Sequence, residues 1–277
     1  MRLEPSHLWT VAIGDRVPKR HTRRPSVGIV KDMGSEYNKL SHDLVWLALK
    51  RGCSRLSFLA KSVEIAGHVA SFATWQAARG LDGGVQHASR ERLWQTAATQ
   101  LSSGSVTVLE LGVAGGATTR FWLSMLRNPQ LRWHGFDTFT GLPEPWTRGG
   151  IRFAEAGTFS TGGSPPSVAD ARVSWHVGLV EQTLPAAELD LGSPLCVLFD
   201  LDLYEPSKFA LDWLTPYLKP GDLLYFDEAY DPWHERRLLD EFLDRGHRVR
   251  AIGSTGIALM VEYEGSLSGA SPADSRA

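Results

Sequence analysis

Apolar residues along this chain follow one period in its first third and another in the rest. Over residues 41–75 they recur at helical spacing, with Leu44, Leu47 and Leu49, then Leu59, Val63, Ala66, Val69 and Phe72. Gly80, Gly83 and Gly84 interrupt this pattern, and residues 89–101 resume it with Leu93, Trp94, Ala97 and Leu101 on one face. From Val106 onward the apolar residues gather into short runs at 106–111, 133–136, 173–177, 195–199 and 223–226. Helix-like segments at 118–126, 181–189, 207–218 and 234–245 separate most of them. Strands rich in β-branched and aromatic residues, each bounded by helices, predict a parallel sheet covered on both faces. Two last runs, 248–252 and 258–263, are joined by Gly-Ser-Thr-Gly and predict an antiparallel hairpin.

The expected fold class is therefore α/β, a doubly wound, mostly parallel, seven-stranded sheet with a helical N-terminal extension. Residues 1–40 mix Pro, Gly and charge without a period and are expected to form a loosely ordered arm. Residues 41–104 form the helical extension, which shapes an acceptor pocket or a dimer interface, and 105–264 form the sheet domain. The tail, 265–277, is Ser, Gly, Ala and Pro in the main and is expected to be disordered.

Composition narrows the partners. A net charge of -2 over 277 residues gives no global reason to expect nucleic acid or an acidic membrane. The two cysteines, Cys53 and Cys196, are too few for a disulfide framework or a zinc site. The basic cluster at Lys19, Arg20, His21, Arg23 and Arg24 has no apolar segment of the secretory type beside it. No apolar stretch approaches the roughly 18 residues of a membrane span. A cytoplasmic protein acting on a small molecule, with a homo-oligomer open, is the expectation.

The densest chemical signal is Thr-Val-Leu-Glu-Leu-Gly-Val-Ala-Gly-Gly at 107–116. A strand, a glycine-rich turn and a helix start make a site for an adenosine-bearing ligand, because small residues let the ligand approach the backbone. A dinucleotide fingerprint needs G-x-G-x-x-G, whereas Gly112, Gly115 and Gly116 are spaced G-x-x-G-G with Ala114 between. Glu110 stands directly before the turn, where a carboxylate repels a pyrophosphate and attracts a cation. S-adenosylmethionine carries an ammonium and a sulfonium and no phosphate, so the sign of the charge favours it over NAD.

Ligands of open α/β sheets sit beyond the carboxyl ends of the strands, and this chain places acids there. Asp137 ends the second run, where its two oxygens match a ribose diol; the alternative is a turn or helix cap. Gly178 follows the third and can admit adenine. Asp200 closes the fourth, and Asp227 and Glu228 close the fifth. Adjacent strand ends are about 5 Å apart, so these three carboxylates can converge. They would then need a cation or a retained proton. Mg²⁺ or Ca²⁺ would satisfy that need and lower the pKa of a substrate hydroxyl. The other reading has them capping helices and meeting the methionine amino group through water.

Several blocks together resemble the S-adenosylmethionine-dependent methyltransferases of the macrocin O-methyltransferase type. They are Leu-Glu-Leu-Gly-Val-Ala-Gly-Gly at 109–116, Gly-Phe-Asp-Thr-Phe-Thr-Gly-Leu-Pro-Glu at 135–144, and Gly157-Thr158-Phe159. Gly-Leu-Val-Glu-Gln-Thr-Leu-Pro at 178–185, Asp-Leu-Asp-Leu-Tyr-Glu-Pro at 200–206, Lys219-Pro220-Gly221 and Phe226-Asp227-Glu228 complete the set. The resemblance implies the Rossmann-like class I methyltransferase fold. It puts Glu110 and Gly112 against the methionine part of the cofactor, Asp137 against its ribose, and Asp200, Asp227 and Glu228 around a metal. Glu228 departs from the family's usual Asp at the last position. The basic residue that such enzymes bring from a variable loop has no match here; the corresponding 145–166 is expected to be a long structureless loop, a lid or a surface insertion.

The expected function is methyl transfer to a hydroxyl of a small natural product or sugar, with Mg²⁺ optional and Asp200 as the catalytic base. Tyr204, Tyr230, His176 and His234 are candidate proton-handling groups near strand ends, although a lone His there is more often structural, and His234 is not expected to be the general base. The competing expectations are a NAD-dependent oxidoreductase and a non-catalytic partner that keeps the fold.

Overall fold

The computed structural model describes residues 57–148 and 151–267. The chain divides into two compact units, Met1–Ala60 and Lys61–Ala277, and the sheet belongs to the second. The expected arm, the start of the helical extension up to residue 56 and the tail from 268 lie outside the described residues.

Helix α1 (Ser57–Arg79) leads into the short strand β1 (Val85–Gln86) and helix α2 (Arg90–Ala98). Next come β2 (Val106–Leu111), α3 (Ala117–Met125) and β3 (Leu131–Asp137). A separate hairpin, β4 (Trp146–Arg148) and β5 (Ile151–Ala154), precedes β6 (Val173–Val177) and α4 (Val180–Ala186). The chain continues through β7 (Leu195–Phe199), α5 (Tyr204–Leu214), β8 (Leu223–Phe226), α6 (Glu235–Asp244), β9 (His247–Ser254) and β10 (Leu259–Ser266).

The main sheet has eight strands in the order β1-β9-β10-β8-β7-β2-β3-β6. It thus has one strand more than expected: β1, a two-residue strand from the extension that pairs parallel with the end of β9. Strands β8, β7, β2, β3 and β6 run parallel, and β10 runs antiparallel to both β8 and β9, as the hairpin pattern predicts. Two further expectations are corrected. Gly265 and Ser266, assigned to the tail, extend β10, and part of the loop at 145–166 folds into the β4–β5 hairpin.

The central strands read as unbroken apolar runs because both their faces are covered. Every residue of β2, β7 and β8 is buried. With side chains alternating at period two, Leu109, Leu111, Val197, Phe199, Leu224 and Phe226 join one core, with side chains from α1, α4, α5 and α6. Val106, Val108, Cys196, Leu198, Leu223 and Tyr225 join the other, with α2 and α3. The extension is therefore no appendage. Leu93, Trp94 and Ala97 of α2 form part of the second core, and Trp75 of α1 donates to Asp240 of α6 at 2.8 Å.

Ladder bonding runs one residue past each parallel strand. Gly112 N–H donates to Phe136, Asp200 N–H to Leu111, Asp227 N–H to Phe199 and Gly178 N–H to Asp137, at 2.9–3.1 Å. These rungs put the four strand ends in one row. Gly112 has φ +90, and a Cβ there would lie 1.9 Å from the Asp200 carbonyl oxygen. Only glycine fits such an approach. Gly112→Ala is expected to lower stability by about 3 kcal/mol or more, read as a fall in Tm, whereas an unchanged Tm would mean that the turn is not held against β7.

Candidate active site

The row of strand ends floors a cavity of about 830 Å³. This is within the usual range of small-molecule sites. It is walled by the Gly112–Gly115 turn after β2, Asp137 after β3, Gly178 after β6, Asp200 to Leu203 after β7, and Asp227 with Glu228 after β8. The folded 139–166 segment covers it, contributing Trp146, Phe153 and Phe159. That cover is anchored: Trp146 is buried with Leu142 and Leu203, and His234 lies 2.7 Å through Nε2 from the Thr147 carbonyl, a contact in which Nε2 donates. His234 is thus structural, holding the hairpin rather than facing a substrate.

Asp137 serves the turn directly. One oxygen accepts from the backbone N–H of Val113 at 2.8 Å and Ala114 at 2.7 Å, and the other from Phe139 N–H at 2.7 Å. The capping alternative is what the contacts show, and the carboxylate lines the cavity at the same time. Ala114, Phe159 and Asp202 adopt positive φ without being glycine, and all three line the cavity. Backbone strain concentrated at one place marks a functional site more often than a scaffold.

Glu110 lies elsewhere than expected. It shares the parity of Val106 and Val108, so its side chain turns away from the cavity toward α3. There it accepts hydrogen bonds from Thr119 Oγ1 and, at 2.8 Å, from Trp133 Nε1, while its other oxygen is buried without a partner. Gly116, at the start of α3 with φ +71, is also outside the lining, whereas Gly112, Gly115, Asp137 and Gly178 belong to it. Burial raises the Glu110 pKa from 4.5 to about 7, against the pull of Thr119 and Trp133.

The acids after β7 and β8 do converge, in a different company from the expected triad. Asp227 accepts from Tyr225 Oη and forms an ion pair with Arg90 Nη2 at 2.6 Å. Arg90, the first residue of α2, lines the cavity. Burial, then Asp227, Asp202 and Glu235, push Asp200 well above the ordinary carboxylate range. Asp227 is raised by burial but drawn back by Arg90, Tyr225 and Asp200. Glu235, the first residue of α6, is wholly buried, accepts the Glu228 N–H at 2.7 Å, and is raised by burial and then by Asp227.

Among the described residues no group of three His, Cys, Asp or Glu side chains is placed to hold a metal ion. The expected Asp200–Asp227–Glu228 metal site is corrected accordingly: one Asp227 oxygen is taken by a guanidinium and the other by a phenol. The residues present do not fit Mg²⁺.

Arg90, Asp202 and Glu235 were missed from the sequence as site residues. Arg90 carried a faint signal, a cation in the first turn of a helix, where the helix dipole disfavours it. Glu235 carried none, since an acid in a first helical turn is ordinary.

Residues 109–229 match the family model for a methyltransferase domain. Those residues are a methyltransferase domain on a Rossmann-like class I methyltransferase fold. Among solved structures, the calicheamicin methyltransferase CalS11 is similar at 25% identity and a TM-score of 0.51, over 62% of this chain and 77% of that one. The O-methyltransferase NovP is similar in fold at 19% identity and a TM-score of 0.46, over 63% and 77%. None of the curated proteins matches the sequence. No described helix is long and apolar enough to cross a membrane.

The methyltransferase domain thus keeps Glu110 as a buried brace between β2, β3 and α3. Its raised value fixes the pH window of its effect. The neutral form contributes stability that is fully present below pH 4.5 and is lost as pH rises through about 7. Comparing melting curves of wild type and Glu110→Gln, we expect the two to agree at low pH and the wild type to fall behind between pH 4.5 and 7. A constant difference across that range would mean that Glu110 is already ionised in the fold.

Proposed function

We propose that this methyltransferase O-methylates a hydroxyl group on a small, neutral or cationic acceptor of the natural-product or sugar type. The observation that carries the reading is the placement of Asp200 and Asp227 together on the cavity floor, next to the glycine turn, where burial raises the proton affinity of Asp200. A hydroxyl must lose its proton as it becomes a nucleophile, and a carboxylate with raised proton affinity is the stronger base for that task. In the described lining, carboxylates outnumber Arg90, the one basic side chain, so an anionic acceptor would meet repulsion. The similarity to a calicheamicin methyltransferase supports a natural-product acceptor.

The residues fit S-adenosylmethionine by three features of the cavity. Gly115 leaves open space beside the turn, where a Cβ would meet nothing within 4 Å, the walls are acidic, and the Asp137 carboxylate braces the turn from below. When bound, the cofactor supplies a methyl group activated by a sulfonium. The chain's own residues then bind and orient. Gly112 and Gly115 would admit the methionine part, Asp137 the ribose and Gly178 the adenine, each from the cavity wall. Trp146 and Phe153, on the anchored cover, would keep water from the acceptor. In its ionised form Asp200 would take the acceptor proton as the oxygen bonds to the methyl carbon, while Asp227 stays paired with Arg90 and Tyr225. Mg²⁺ is given no part, because both oxygens of Asp227 are engaged, one by Arg90 and the other by Tyr225.

Calorimetry with S-adenosylmethionine and S-adenosylhomocysteine tests the cofactor site, with NAD as the control. We expect saturable binding of the first two and none of NAD, and a loss of at least about tenfold in Asp137→Asn, in keeping with one charge-assisted contact. Mass spectrometry on a panel of glycosides and amino sugars should find the added methyl on oxygen. Methylation on nitrogen alone, or no binding of either ligand, would overturn the proposal.

A further inference from the structure

The strand-end acids of this domain have a cation of their own. Asp227, on the cavity floor, is wholly enclosed, and its Oδ2 is held at 2.6 Å by Arg90 Nη2. The guanidinium is itself half-buried, and its Nε is enclosed without a hydrogen-bond partner. Three independent features hold Arg90 there. Ser89 caps α2, its Oγ accepting the Arg92 N–H. Leu93 and Trp94 are buried in the core, Trp94 with its ring edge-on to Tyr225 at 5.9 Å. Tyr225 in turn donates to the other oxygen of Asp227. The positive end of the α2 dipole disfavours a cation at this position, so the pairing with Asp227 offsets an intrinsic cost.

Three carboxylates lie close enough to act on the guanidinium. Asp227, Asp200 and Glu228 act on it from β7 and β8, with the Tyr225 phenol beside them. A divalent ion at this place would have to approach within about 2.1 Å of the same carboxylate oxygens. It would meet a fixed positive charge already in contact with one of them.

We propose that Arg90 is the resident cation of this active site, standing where a divalent ion would neutralise the acids, so that methyl transfer in this chain proceeds without a metal. The guanidinium neutralises Asp227 and leaves N–H donors at the cavity wall for the acceptor oxygen. The consequence for turnover rests on the methyltransferase reading above; the exclusion of the ion does not.

The test uses the full-length protein, stripped with EDTA and titrated with Mn²⁺ under electron paramagnetic resonance detection of the free ion. Wild type and Arg90→Lys, which both keep the positive charge, are expected to take up no stoichiometric Mn²⁺. Arg90→Ala is expected to gain one site per chain, with affinity raised at least about tenfold, since a like charge in contact with a ligand oxygen has been removed. Adding Asp227→Asn to that variant should abolish the gain. One Mn²⁺ per chain bound by wild type and lost in Asp227→Asn would overturn the proposal, as would an Arg90→Ala protein that folds and gains nothing. Should Arg90→Ala fail to fold, Arg90→Gln takes its place, and the wild-type titration decides independently of either. S-adenosylmethionine calorimetry in EDTA, run on the same wild-type sample, separates the two readings. Failure to bind the cofactor would sink the methyltransferase reading while leaving the Mn²⁺ result to stand.

Discussion

The closest constraint in the molecule is the approach of the Gly112 turn to the Asp200 carbonyl, where a single added carbon would sit 1.9 Å from oxygen. It joins the end of β2 to the end of β7 at the point where the strand order reverses, with β3 and β6 on one side and β8 on the other. Because the ladder runs one residue beyond each strand, Gly112, Gly178, Asp200 and Asp227 stand in register. The cavity walls follow from that row. A ligand lying there meets backbone from β2, a carboxylate from β3 and acids from β7 and β8 without any long excursion of the chain. The Asp137 carboxylate reinforces the arrangement by collecting three backbone N–H groups at once, so the turn is held from below as well as from the side.

Charge is the second organising factor, and burial decides its form. Carboxylates removed from water either find a cation or hold a proton. Both solutions occur within one site: Asp227 takes the guanidinium of Arg90, while Asp200 and Glu235 are pushed toward the neutral form. Glu110 shows the same physics on the opposite face of the sheet, where two hydrogen bonds from Thr119 and Trp133 only partly offset burial. A carboxylate near a glycine turn can thus be a brace or a ligand contact, and the parity of its strand position distinguishes the two.

The cover over the site is built from a segment with little regular structure, yet it is fixed by specific contacts. Gly141, at φ +87, lies so close to the Gly157 backbone that a Cβ would meet its carbonyl oxygen at 2.4 Å. Leu142 N–H donates to the Thr158 carbonyl and its own carbonyl accepts from Gly157 N–H, and the buried Trp146 packs edge-on against Phe153. Positive φ at Phe159 and Asp202 adds local strain at the cavity edge. Strain of this kind persists only where the surroundings over-determine the backbone.

By itself the sequence determined the order of strands and helices, the doubly covered sheet, the closing hairpin and the glycine turn. These are local matters: apolar runs, helical spacing and turn residues report on the nearest few neighbours along the chain. It also placed Asp137, Asp200, Asp227 and Gly178 at the strand ends, because in a parallel sheet each run's carboxyl end faces the same edge. Tertiary structure decided the rest. The two-residue β1 pairs with β9 across more than half the chain, and no local pattern announces so short a strand. Glu110 turned from a cofactor contact into a buried brace, since residues of alternate parity face opposite layers. The acids at the ends of β7 and β8 acquired a guanidinium in place of a metal, because α2 packs through Leu93 and Trp94 where its first residue reaches Asp227. The sign of the charge needed there was legible in the sequence; which group supplies it depended on packing between segments far apart in the chain.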